Sequence, residues 1–217
     1  MLLVDPLIAA QSLDISCGIG REAASAMDAI LVPLNLIYTR AVAALDVASL
    51  LTSTYIDQFT LTGRGYDGQY GLRLCNGFID PTSIIVRDTL TQTPVDPTRY
   101  GINAKYGVVY IDSRLQGRYE VEHTGGFAPV ETMTAEGTLI PLNRQILAVP
   151  EWLQSVAILA LNEWYRSAPR TITTVKDGMS FAAINSQANR ALQNAIWNQY
   201  LRPRAEMLFA TNSTLVH

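Results

Sequence analysis

Lysine is nearly missing from this 217-residue chain: fourteen of its sixteen basic residues are arginine, and only Lys105 and Lys176 are lysine. Arginine is the cation that suits a carboxylate fork or an aromatic face at an interface. Cysteine and histidine are equally scarce, as Cys17, Cys75, His123 and His217. Two cysteines are too few for a disulfide scaffold and fit folding in a reducing cytoplasm. No His/Cys/Asp spacing suits a metal site, and His123 reads as an ordinary edge residue at the end of a strand. Charge is also thin: 16% of residues are charged and the net charge is −3. That argues against a strong nonspecific DNA binder, which needs many uncompensated cations. A subunit that hides much of its surface in an oligomer needs few solvating charges. No run approaches the roughly 18 apolar residues of a membrane span. The start, Met1-Leu-Leu-Val, soon meets Asp5 and Pro6, which is not the basic-then-apolar pattern of a secretion leader.

Hydrophobic residues make up 48% of the chain, enough for a real core. Their spacing changes twice. A short first helix is expected over 4–12, with Asp5 as cap and Pro6 in the first turn; Cys17-Gly-Ile-Gly20 breaks it. From Arg21 to about Leu51 the period is helical, and Pro33 should kink or split the helix. Residues 55–127 switch to a two-residue period, read as about six short, mostly antiparallel strands. Residues 128–148 form a polar connector with Pro129, Gly137 and Pro141. The helical period returns at Pro150, with Trp152, Val156, Leu159 and Ala160 on one stripe. After a link with Asp177-Gly178 as its turn, a last helix runs from Phe181 to Tyr200, and Arg202-Pro203-Arg204 interrupts it. The order predicts an α+β protein: a helical bundle from N- and C-terminal helices with an inserted small antiparallel β domain. The expected parts are N-terminal helices (1–54), the β domain (55–127), a connector loop or arm (128–148), C-terminal helices (149–200) and a tail (201–217).

Chemical signatures are sparse. Gly63-Arg-Gly-Tyr-Asp-Gly68 matches GxGxxG, but a dinucleotide site needs a helix after that loop. Here Tyr70-Gly-Leu-Arg-Leu-Cys75 alternates as a strand, so the glycines read as a loop between strands. Glu120 and Glu122 share a solvated strand face rather than a carboxylate dyad. No serine elbow or Cys-His pair stands out. The expectation is therefore no enzyme, no cofactor and no metal. Seven tyrosines crowd the β section: Tyr55, Tyr66, Tyr70, Tyr100, Tyr106, Tyr110 and Tyr119. Tyrosine buries a ring while keeping a wet hydroxyl, which suits strands and interfaces alike.

Four stretches carry a resemblance: Phe78-Ile-Asp-Pro-Thr-Ser-Ile-Ile-Val86, the hairpin Tyr100 to Asp112, the strand Tyr119 to Phe127 ending in a VxxTxGF-like pattern, and the helix from Val149-Pro-Glu-Trp-Leu153 to the aromatic pair Trp164-Tyr165. This order resembles the head–tail adaptor (connector) proteins of tailed bacteriophages. The chain departs from that pattern at Arg21-Glu22-Ala-Ala, where an acidic helix start is often seen. The resemblance implies a structural virion protein, a homo-oligomeric ring usually of twelve copies. Such a ring joins the portal protein to the stopper or tail proteins at the virion neck, is assembled in the host cytoplasm, and passes genomic DNA through its lumen without tight binding. It implies no membrane. In relatives the C-terminal segment reaches the portal; carried over, that docking role falls on Trp197, Tyr200, Arg202, Arg204, Met207 and Phe209. Two other readings stay open: another neck or tail component, such as a stopper or tail-completion protein, and a β-rich ligand-binding module whose tyrosines stack on sugars.

Overall fold

The computed structural model describes residues 1–17, 27–63, 68–167 and 179–212. The Gly18–Gly20 break, Tyr66 in the glycine loop, and the Asp177-Gly178 turn lie outside the described residues. The chain divides into two compact units, Met1–Leu45 with Ala128–Trp197, and Asp46–Phe127 with Asn198–His217.

Among the described residues, the first unit holds four α-helices: α1 (Pro6–Cys17), α2 (Met27–Leu45), α3 (Glu151–Ser167) and α4 (Met179–Ile196). The side chain of Asp5 accepts from the Leu7 amide at 2.7 Å, so it satisfies an amide that the helix cannot, just ahead of Pro6. Pro33 lies inside α2, which is not split there. The helix ends at Leu45, short of the expected Leu51, where Asp46 takes a φ of +53°. α3 turns Leu153, Val156, Ala157, Ala160 and Leu161 inward and leaves Leu159 exposed, a stripe displaced from the expected one. α1 and α2 pack on α3, and α2 and α3 pack on α4.

Among the described residues, two further pieces outside the α-helices belong to this unit. Leu2 bridges Ile146 in parallel, its amide donating to Gln145 O at 2.8 Å and its carbonyl accepting from Leu147 N at 3.0 Å. Residues 128–148 double back on themselves. Antiparallel bridges join Pro129 to Leu147 and Met133 to Leu139, and Gly137, at φ +79°, closes the turn at the tip.

Among the described residues, the second unit holds six strands: β1 (Ser53–Leu61), β2 (Gln69–Arg73), β3 (Ile85–Asp88), β4 (Tyr100–Asn103), β5 (Val108–Asp112) and β6 (Gly117–Gly125). They form two three-stranded antiparallel sheets, ordered β1-β6-β3 and β2-β5-β4. Strict alternation produces this. In β6, Tyr119, Val121 and His123 point inward while Glu120 and Glu122 alternate with them at partly exposed positions; Glu122 pairs with Arg87 on β3 at 2.6 Å. Leu74, Val86, Val109, Ile111 and Val121 from both sheets share one core, each worth roughly 1.5–3 kcal/mol when fully buried. Gly63 and Gly68 take positive φ angles in the loop between β1 and β2, and a strand follows.

The molecule is α+β in composition, but the predicted bundle with one inserted small β domain is overturned. The strands divide between two sheets. The last helix does not extend the helical unit: after a π-helical turn at Trp197–Leu201, α5 (Arg202–Asn212) belongs to the strand unit and packs on β2 and β5. The physical reason is at the break. The π turn Trp197–Leu201 stands just ahead of Pro203, which has no amide hydrogen to give to a helical bond, and Tyr200 and Arg204 bury among strand-unit residues. Among the described residues no helix is long and apolar enough to cross a membrane.

Candidate functional site

The strand unit brings together three residues that sequence spacing kept apart: Asp57, Cys75 and His123. Asp57 stands on β1 opposite Val121 of β6. His123, two residues on and opposite Tyr55, is therefore its diagonal neighbour on the same face. Cys75 follows β2 and comes from the other sheet. One donor atom from each of the three lies within 4.8 Å of the others.

The backbone around Cys75 is fixed from several sides. Its amide donates to Asp57 Oδ2 at 2.8 Å, and its carbonyl accepts from Ala48 N at 3.1 Å. The preceding carbonyl, of Leu74, accepts from Arg204 Nη2 at 2.7 Å. Burial, and then the charge and hydrogen bond of Asp57, push the Cys75 thiol up to about 12, against a smaller opposite pull from Arg204. Such a thiol is protonated at neutral pH and donates to Asp57, which makes it a poor free nucleophile.

His123 is fully buried and stacks on Tyr55, ring centroids 5.6 Å apart. Its Nδ1 lies 3.9 Å from Asp57 Oδ2 and 3.5 Å from Val121 O, and its Nε2 has no hydrogen-bond partner. Burial lowers its pKa, opposed by Asp57, so the imidazole is neutral at pH 7. The expected edge residue is thus a core residue on a central strand. β6 is flanked by β1 and β3, and His123 shares the inward phase of Tyr119 and Val121.

Of the six residues assigned to docking, two are buried. Tyr200 stacks on Phe78 at 5.1 Å and lies 5.6 Å from Tyr106, and Arg204 sits 5.7 Å from the Tyr200 ring. Met207 is half-buried, and its sulfur accepts from Asn103 Nδ2 at 3.8 Å. Trp197 and Arg202 are exposed, and Arg202 pairs with Glu206 at 2.9 Å. The Phe209 side chain lies outside the described residues. Tyr70 and Tyr119 are core, Tyr100 packs against it, Tyr55 and Tyr106 lie against His123 and Tyr200, and Tyr110 is half-buried.

No protein-family model matches the chain, and no curated protein matches its sequence.

Proposed function

We propose that the chain is a structural subunit of a phage neck, a head-to-tail adaptor that forms a ring with its own copies, joins the portal to the stopper or tail, and lets DNA pass without gripping it. One observation supports this reading above the others. The doubled-back segment 128–148 is held by backbone hydrogen bonds, yet Val130, Met133, Leu139 and Leu142 on it are each more than half exposed. An ordered arm that presents four large apolar side chains to water is suited to covering a partner. A cyclic ring needs such a patch on each copy, meeting a different patch on its neighbour. The net charge of −3 agrees with a lumen that DNA slides through. Portal docking falls on the exposed Trp197 and Arg202, since aromatic and arginine side chains anchor interfaces.

The test is electron microscopy of the protein mixed with its portal, and of whole particles. The expected image is a ring of this subunit between portal and tail. A neck that lacks this chain, or a measured turnover of a small substrate by the purified protein, rejects the proposal.

A further inference from the structure

We propose that Asp57, Cys75 and His123 form a site for a divalent ion of the zinc class. The proposal is independent of the neck assignment. Three observations on the strand unit carry it.

The donor set comes first. A thiolate, an imidazole nitrogen and a carboxylate oxygen are the ligand types zinc takes. With metal–ligand bonds of about 2.0–2.3 Å, neighbouring donors of a tetrahedral site stand roughly 3.3–3.8 Å apart. Donors already within 4.8 Å of one another need only small rotations to close on an ion.

The second observation is His123. A fully buried imidazole normally has good partners on both nitrogens. Here Nε2 has none, and Nδ1 has only Val121 O at 3.5 Å. A ligating nitrogen needs the ring neutral and the other nitrogen held by a second group.

The third is access. Asp57 and Cys75 line an open cleft of about 490 Å³, together with Asp46 and Ala48. It gives an entry path and space for a water in the fourth position. Binding releases the thiol proton to solvent, leaving thiolate and carboxylate to neutralise the dication. The bound ion would tie β1 and β6 of one sheet to the end of β2 in the other.

The experiment is a Co²⁺ titration of the intact chain, read by absorbance, with Zn²⁺ competition. The expected result is a thiolate-to-cobalt charge-transfer band that saturates at one equivalent and is displaced by Zn²⁺. Cys75→Ser should abolish the band and Cys17→Ser should leave it unchanged. His123→Gln should weaken binding about tenfold or more, and Zn²⁺ should raise the unfolding temperature of the wild type but not of Cys75→Ser. Circular dichroism checks that the variants fold. No charge-transfer band in the wild type overturns the proposal even if every variant misfolds. So does a band that survives Cys75→Ser and disappears in Cys17→Ser.

Discussion

The Tyr200 hydroxyl occupies the space a Cβ at Gly77 would need, and the Lys105 carbonyl closes the other side at 3.1 Å. Gly77→Ala should therefore overpack the unit and cost about 1–3 kcal/mol, measured as a lower urea midpoint. Tyr200→Phe in the Gly77→Ala background should recover part of that loss, because it deletes the atom that collides. Equal stability of Gly77→Ala and wild type would show that the C-terminal segment does not lie on Gly77. Nothing local in the sequence marks this contact, since the two residues are far apart along the chain. The same limit hid the Asp57–Cys75–His123 cluster. Its ligands come from three separate segments, so no motif spacing exists to find. One signal was present: His123 follows Tyr119 and Val121 in a two-residue phase, and Asp57 follows Tyr55 and precedes Phe59 in the same way. A polar side chain in phase with a strand's apolar face is a candidate for the interior.

At the scale of elements, the strands were legible because each buries one face only, and alternation writes that face directly into the order of residues. Helix ends were less so. Pro33 suggested a kink or a split and the helix is not split there, and the last helix gave no warning that its continuation would join the strand unit. The turns between strands are fastened by carboxylates with a consequence for pH. Asp80, Asp88 and Asp96 each accept backbone amides two or three residues on, at 2.8–3.0 Å. Asp112 is held chiefly by its hydrogen bonds with Arg114. All four have pKa values below the ordinary carboxylate range, from hydrogen bonds to Thr82 at Asp80, Thr91 at Asp88, Thr98 at Asp96 and Arg114 at Asp112. A depressed folded-state pKa stabilises the fold above the unfolded value of about 3.9 and stops doing so as pH falls through the lower, folded value. As far as these four groups decide it, stability should stay flat from pH 7 to about 5 and fall below about 4. Urea titrations at stepped pH check this. Asp112→Asn should make the acid slope shallower, and an unchanged slope would show that Asp112 carries no linked proton.

At the scale of the whole molecule, the α+β composition was visible in the two changes of hydrophobic period, but the division into two sheets was not. Alternation shows which residues face inward, not which strands are neighbours. The segment 128–148 was legible as an arm only by its length and polarity, while its backbone pairing depends on Leu2 and on contacts between its own two halves. On the proposed ring assembly, those pairings make its exposed side chains the candidates for contact between copies. Replacing Val130, Met133, Leu139 and Leu142 together by Ser should leave the isolated chain within about 0.5 kcal/mol per site of wild type, as exposed positions do. If the chain is the ring subunit proposed, the same variant should fail to close a ring, and particles assembled with it should be full heads without tails under the electron microscope. If the variant assembles normally, the arm is not the joint between copies. If the isolated variant instead unfolds at markedly lower temperature, these four side chains belong to the fold and are not a surface kept for a partner.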